Sequence, residues 1–440
     1  MTKPAQISQL FSSCLAAYQQ GEYSAARDWA AKILALDSSH HDALQIAGNI
    51  AFLQNDYHQA RQFYLRALRK SRGNCPDMFN LANTLFQLGC FRSSIFWTSA
   101  VLRHNPNNID ALLLRGQADL ECEFAAAAIA DFNQVLQLDS TNVWACNYLA
   151  QALQKNGCWD EAQAQAYQAV KLSNGDDSQH LNMAYTLYEI ALENGVDTIK
   201  KYSRLWRQNY GQNPLVAYAC AALDSNPDIV RSNTRYVERV FDAFAATFDD
   251  SLHNLDYHVP EIIARMSADF CSAVSARFPR ILDLGCGTGL CGQYLDSLLP
   301  KAEIFGVDIS AAMLQKAADK NVYKALIQGD ILAVLPGDAK RYDLIIAADV
   351  LTYFGSLDSL FKIVSSHLDS QGGFVFSITA AAADKKDWNL HLSGRFSHRE
   401  KYVRQCLDAA SLKVQKSDYL KLRNEGDKAV MGWVFAAQKI

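Results

Sequence analysis

Read at an offset of 34 residues, the first half of the chain keeps matching itself. A small residue recurs at Cys14, Gly48, Ala82, Gly116, Ala150 and Ala184. A second column holds Ala26, Ala60, Ser94, Ala128 and Ala162, and a third holds Leu34, Leu68, Leu102, Leu136 and Val170. Aromatic residues stand at Tyr23, Tyr57, Phe91 and Trp159, with Phe124 one place out of step in the fourth unit. A period of this length accommodates a pair of short helices whose apolar face cannot be buried by one pair alone. The pairs must therefore stack, which creates a continuous core and an extended concave surface. A chain of 440 residues has room for a second core beside such an array, so two domains are expected.

The strings GEYSAA, NDYHQA and GCWDEA, with the RHNPNN turn at Arg103 to Asn108, resemble tetratricopeptide (TPR) repeats. The resemblance implies an all-α solenoid of about five repeats, and the array is placed at residues 1–195. One column of first helices carries side-chain amides at Asn49, Asn83, Gln117 and Gln151. An amide both donates and accepts, so this ladder on the concave face is a candidate for pairing with the backbone of a bound protein or peptide. The competing reading, and the favoured one, is that these amides serve the repeat fold. Basic residues form no stripe of the kind that captures an acidic tail.

Charged residues make up 20% of the chain and the net charge is −4, so no nucleic-acid surface is expected. The eleven cysteines are scattered singly, without a C-x-x-C pair, which points to a reducing cytoplasm and to neither a disulfide framework nor a metal site. No run approaches the length of a transmembrane span, so no membrane partner is expected. Residues 196–235 lose the repeat register while still reading as helices, and with no glycine–serine or proline-rich run they are expected to form a cap and joint.

The second half, residues 236–440, turns on RILDLGCGTGLCG, from Arg280 to Gly292. A strand ending on Asp283 runs into Gly285, Gly287 and Gly289 and then into a helix, so backbone N–H groups are left open to a ligand at the helix mouth. The spacing is not the G-x-G-x-x-G of dinucleotide-binding sites. An acid followed by GxGxG resembles motif I of the class I S-adenosylmethionine (SAM)-dependent methyltransferases. AEIFGVDIS then reads as a second strand ending in Asp308, where a carboxylate can accept from ribose hydroxyls. The resemblance places Ile309 beside it, sets Asp330 and Ile331 about the adenine, and puts Asp349 of YDLIIAADVLTYFG, a motif IV counterpart, near the transfer site. It implies a Rossmann-like α/β domain with a seven-stranded, mainly parallel sheet. SLDSLFKIVSSHLDSQGG is expected to be a helix stopped by Gly372 and Gly373.

RYVERVFDAFAATFDDSLHNLDYHVPEII, HLSGRFSHREKYV and LRNEG resemble segments of predicted bacterial methyltransferases that carry TPR repeats. Phe241, Phe244 and Phe248 stand at three- and four-residue spacing and are expected on one helix face; from the resemblance Phe248 and Tyr257 are expected over the SAM pocket, with Phe241 and Phe244 left to packing. Phe396 stands where that family often has tyrosine, and Ser411 where it has glycine. Cys286, inside the loop, and Cys291 after it read as small fillers. Methyl transfer needs mainly alignment and exclusion of water, so the acceptor is poorly encoded. The stretch from Trp388 to Tyr402 is the candidate lid or acceptor wall. His398 is its candidate proton acceptor and Arg395 a second candidate catalytic residue, against the alternative that both cap a helix or pair with surface carboxylates. The N-P-P-Y type loop of amide and base N-methyltransferases is absent, with ADVLTY in its place. Two functions are carried forward: a SAM-dependent methyltransferase of a protein, peptide or small-molecule acceptor, whose repeats recruit the acceptor or partners, and a SAM-binding scaffold without turnover.

Overall fold

A computed structural model describes residues 2–71, 74–226, 228–254, 257–274, 279–382, 386–425 and 428–440. The chain divides into two compact units, Met1–Gly175 and Asp176–Ile440.

The first unit is five helical hairpins: α1 Lys3–Gln19 with α2 Tyr23–Leu36, α3 His41–Leu53 with α4 Tyr57–Ser71, α5 Cys75–Gln87 with α6 Phe91–His104, α7 Ile109–Glu121 with α8 Ala125–Leu138, and α9 Val143–Lys155 with α10 Trp159–Leu172. Each hairpin turn contains one residue of positive φ, at Gly21, Asn55, Gly89, Glu123 and Gly157, again 34 residues apart. The small column is a packing device. A Cβ on Gly48 would come within 2.6 Å of the Tyr64 ring, and one on Gly116 within 2.6 Å of Phe132. Where the facing residue is Thr98 or Ala166, the small column carries Ala82 or Ala150. The first three aromatic positions pack on an aromatic at the end of the preceding helix, as in Phe52–Tyr57 and Phe86–Phe91. The fourth hairpin has Leu120 and Ala125 at those places, and Phe124 is left exposed.

The amide ladder stands on α3, α5, α7 and α9 as Asn49, Asn83, Gln117 and Gln151; the first three are half-buried and Gln151 is exposed. Asn49 Oδ1 accepts from the Tyr64 hydroxyl at 2.7 Å, which ties that amide to its own hairpin.

The second unit begins with α11 Asp177–Asn194, which enters in the repeat register but runs through the place where a turn residue would fall and ends at Gly195, φ +85. Its buried His180 accepts from the Trp206 indole at 2.9 Å, and Asp177 receives Arg235 at 2.7 Å. The compact division thus falls at Gly175, ahead of the Gly195 end read from the register. Helices α12 Lys200–Tyr210, α13 Pro214–Leu223, α14 Thr234–Phe244, α15 Phe248–Asn254 and α16 Val259–Ala273 lead into the sheet.

That sheet comprises β1 Arg280–Leu284, β2 Glu303–Asp308, β3 Ala325–Gln328, β4 Tyr342–Ala347, β5 Leu368–Thr379, β8 Leu412–Glu425 and β9 Lys428–Lys439, in the order β3-β2-β1-β4-β5-β9-β8. The first five strands pair in parallel, and β9 runs antiparallel between β5 and β8. A ribbon of β6 Trp388–Leu390 and β7 Phe396–His398 stands apart. The interleaved helices are α17 Leu290–Leu298, α18 Ala311–Asp319, α19 Ile331–Val334, α20 Asp358–His367 and α21 Glu400–Ala409. Phe361, Phe374, Phe376 and Phe435 belong to the core on one face, while Ile263, Phe270, Ile281 and Leu344 pack on the other. Sheet order reverses between β1 and β4, and open parallel sheets bind ligands at such a switch point.

Two expectations are corrected. Helix α20 ends at His367, not at the glycines Gly372 and Gly373, which already lie in β5. The His367 ring nitrogens engage the Ile363 and Asp338 carbonyls at 2.8 and 3.1 Å, which fixes the helix end before the chain turns into the strand. Phe241, Phe244 and Phe248 do not share one helix, because α14 stops at Phe244 and α15 begins at Phe248. Phe244 is 51% exposed and takes no part in the core. Gly426 and Asp427 of the LRNEGD stretch fall outside the described residues. No helix among the described residues is long and apolar enough to cross a membrane. All eleven cysteines are free.

Candidate functional site

At the carboxyl ends of β1, β2 and β4 the second unit opens a cleft of about 1230 Å³, its open mouth included. Its floor is the loop after β1. Gly285 and Gly287 there have φ of +64° and +54°, a region that L side chains rarely adopt. A Cβ on Gly285 would lie 2.4 Å from Val350, so this position has no room for a side chain. A Cβ on Gly287 would find only the Phe248 ring, at 4.0 Å, so the loop faces open space there. Gly289 caps α17 in the left-handed conformation and packs behind the loop, within 2.9 Å of Tyr323 by the same measure; it does not line the cleft.

Two acids bracket the loop. Asp308, at the end of β2, is 7% exposed and accepts from the Gly287 N–H at 2.8 Å and the Ser310 N–H at 2.9 Å. Burial pushes its carboxyl up, against those donors. Each carboxylate oxygen retains accepting capacity toward a ligand hydroxyl. Asp283 lies deeper, at 1% exposure, with the Tyr323 hydroxyl donating to Oδ2 at 2.8 Å. Burial pushes its carboxyl up to about 7, and the nearby Asp308 adds to the rise. Cys286 and Cys291 are buried with thiols pushed well up by burial, as inert fillers should be. A Cβ on Gly306 would meet Cys286 Sγ at 2.8 Å, so the thiol fills the space behind the loop.

At one end of the cleft Asp330 caps α19 through the Leu332 N–H at 2.8 Å, and its other oxygen is paired with Arg231 and receives the Thr234 hydroxyl. Ile331 and Ile309 supply apolar wall beside it. Phe248 stands over Gly287, and Phe241 contacts both Phe248 and Tyr353 edge-on. The segment carrying these rings is tied down by Asp242, which accepts from the Ser310 hydroxyl at 2.6 Å, and by Asp249, which accepts from Thr288 and pairs with Lys320 at 3.1 Å.

The other end is built on the loop after β4. Asp349 has φ +58, uncommon for a residue with a side chain. Its N–H donates to the Ser377 hydroxyl at 2.8 Å, and Oδ2 accepts from Arg423 Nη1 at 2.7 Å. Among the described residues, Asp349 Oδ1 and Arg423 Nε are buried without a partner. Tyr257, Tyr353 and Arg395 complete this wall. Burial holds the Tyr257 phenol well above its ordinary range.

Residues 279–427 match a family described as a methyltransferase domain. The second unit carries a methyltransferase domain. Among curated relatives of this domain, the malonyl-[acyl-carrier protein] O-methyltransferase of Priestia megaterium is 31% identical over 147 residues, which cover 33% of this chain and 52% of that protein. The enzyme of the same name from Legionella pneumophila is 35% identical over 101 residues, covering 22% of this chain and 35% of that protein. The chain thus spans about half the length of the first and about a third of the second. Among solved structures, magnesium protoporphyrin IX methyltransferase (ChlM) from Synechocystis PCC 6803 overlays with a TM-score of 0.36 at 16% identity, over 46% of this chain and 99% of that one.

In the methyltransferase domain, Asp283, Gly285, Cys286, Gly287, Asp308, Ile309, Asp330, Ile331 and Asp349 meet at one cleft with Phe248, Tyr257 and Arg395. His398 is not brought there. It is fully buried at the end of β7, with Nε2 2.7 Å from the Phe354 carbonyl and 3.1 Å from that of Gly355, so the ring donates inward through that nitrogen. Burial lowers its pKa to about 4. Its Nδ1 is buried without a partner among the described residues, so the imidazole braces the wall from behind and is sealed from an acceptor in the cleft. Sequence reasoning passed over Arg231 and Tyr353 and assigned Phe241 to packing, although all three line the cleft. Arg423 lay inside the LRNEG stretch, which was the available signal. Nothing around Tyr323 in the sequence marks it as the partner of Asp283.

Proposed function

We propose that this protein is a methyltransferase that uses S-adenosylmethionine, and that its helical-repeat unit, read as TPR repeats, recruits the acceptor or a partner protein. The observation that carries the reading is the glycine loop whose Gly287 N–H is held on Asp308, open to the cleft where a side chain would otherwise project. The cofactor would supply a methyl group on a sulfonium sulfur. Asp308 suits the ribose hydroxyls, Ile309 and Ile331 offer apolar surface to the base, and Asp330 stands at the same end. Phe248 and Phe241 cover the loop and exclude water, and Asp349, Tyr257 and Tyr353 form the wall at the transfer end. The relatives are named for an acceptor carried on a protein, and another relative, from Paracidovorax citrulli, is named a trans-aconitate 2-methyltransferase. Both kinds of acceptor, tethered and free, are compatible with a cleft that opens to solvent.

Calorimetric titration of S-adenosylmethionine and S-adenosylhomocysteine into the full chain tests the reading. Micromolar binding of both, weakened at least tenfold in Asp308→Ala, is the expected result. Absence of binding by either ligand would remove the enzyme reading and leave a repeat scaffold.

A further inference from the structure

Three arginines line the cleft. Arg231 is paired with Asp330, and Arg423, 4% exposed, is paired with Asp349. Arg395 lines the same cavity and is half-buried, yet among the described residues it has no ion pair. The groups that raise its pKa are the Tyr353 phenol first, then Asp349 and Glu425, so it stays charged. Asp349 is already engaged by Arg423, and the Glu425 carboxylate lies 3.4 Å from the Tyr188 hydroxyl.

The position of Arg395 is built. It follows a tight turn between β6 and β7 in which the His391 N–H donates to the Arg395 carbonyl and the Gly394 N–H to the His391 carbonyl, both at 2.9 Å. Gly394, at φ +74, presents its carbonyl to the buried Tyr218 hydroxyl at 2.6 Å. Arg395 donates a side-chain hydrogen bond to Tyr353, and a guanidinium carries five N–H donors, so it retains donors for an anion entering the cleft. The planar fork of a guanidinium matches a carboxylate through two parallel N–H···O bonds. Arg395 stands with Asp349 and Tyr353, at the β4 end of the cleft, and not with the loop and acid of β1 and β2.

We propose, on the basis of the methyl-transfer reading above, that the acceptor bears a carboxylate and that Arg395 is the residue that recognises it. The cofactor has a carboxylate of its own, in its amino-acid portion, and the test separates the two sources. S-adenosylhomocysteine is titrated first into the wild-type full chain; if it does not bind, the methyl-transfer reading itself fails. It is then titrated into Arg395→Gln beside 5′-methylthioadenosine, which lacks the amino-acid portion. Affinities within about twofold of wild type for both ligands are expected, and they also show that the variant is folded. A tenfold loss for S-adenosylhomocysteine alone would assign Arg395 to the cofactor and overturn the proposal.

In the third arm, protein saturated with S-adenosylhomocysteine is titrated with hexanoate, hexanamide and hexylamine. Hexanoate is expected to bind about tenfold more tightly than its amide, with Arg395→Gln abolishing the difference and Arg395→Lys retaining part of it. Equal binding of acid and amide, tighter binding of the amine, or no binding of hexanoate in the millimolar range would overturn the proposal.

Discussion

Asp77, in the repeat unit, and Asp349, in the methyltransferase domain, are both carboxylates withdrawn from water, and they are treated in opposite ways. Asp77 is fully buried and its oxygens are engaged by Gln45 Nε2, the Ser71 hydroxyl and His41 Nε2, the last at 2.7 Å. Asp349 receives Arg423 on one oxygen and, among the described residues, keeps the other buried and unpartnered, in a strained backbone conformation. A buried polar group left without a partner costs free energy, and Asp349 lines the cleft, where a ligand can offset that cost. The same contrast separates two glycines. Gly116 makes room for the Phe132 ring, whereas Gly285 makes room for Val350 in a turn on the cleft floor, its N–H and that of Cys286 donating to the Val307 carbonyl. In the repeat unit these residues serve packing; in the methyltransferase domain they line the cleft proposed for the cofactor.

The largest way to break this contrast is Gly285→Ala. Its new Cβ would sit 2.4 Å from Val350 at a φ of +64, and binding of S-adenosylhomocysteine by calorimetry is expected to fall by about a hundredfold or more. Gly116→Ala sharpens the contrast from the other side. Overpacking against Phe132 should lower stability by about 1–3 kcal/mol in a denaturant titration while binding is unchanged. Loss of binding in that variant would mean that the repeat glycine also serves the cleft.

The pH dependence of the two units gives smaller tests. Asp283 has its folded pKa raised to about 7, mainly by burial, so the folded state holds its proton more tightly than the unfolded chain. Its contribution to stability is therefore fully present below about pH 4 and is lost as pH rises toward 7. Asp283→Asn, which cannot ionise, should remove that part of the pH profile in ligand-free protein. The melting temperature of the variant should match wild type near pH 4 and exceed it by several degrees at pH 8. His398, lowered to about 4, acts in the opposite sense, and it cancels in the difference because both proteins contain it. The smallest effect is expected at Asp119 in the repeat unit, raised to about 6 by burial, with Asp131 nearby. Asp119→Asn should raise the melting temperature at pH 8 by about 1–3 °C, and by less at pH 5.

The repeat unit was legible because its physics is local and recurs. Each hairpin needs a small residue, an aromatic near the second helix start and a left-handed turn residue, so five copies reinforce one another. The turn column itself is chemically mixed, with Gly21, Asn55 and Glu123 in equivalent places, and was visible only as geometry. In the methyltransferase domain the glycine loop and the strand-end acids were legible because strand, turn and helix follow one another in sequence. Arg231, Tyr323 and Tyr353 were not, because each acts across the fold on a partner that no local pattern announces: Arg231 on Asp330, Tyr323 on Asp283, and Tyr353 beside Arg395. His398 failed as a proton acceptor for a related reason. Its ring type suggested chemistry, while the carbonyls of Phe354 and Gly355 that engage it were invisible until the chain was folded.

The proposed division of labour between the two units is tested most directly by hydrogen–deuterium exchange of the full chain, with and without saturating S-adenosylhomocysteine. New protection is expected in the loop of residues 284–290, at 308–310, at 329–332 and at 349–354, with the amides of α1 to α10 unchanged. Protection spread through the helical hairpins, or none at the glycine loop, would contradict it.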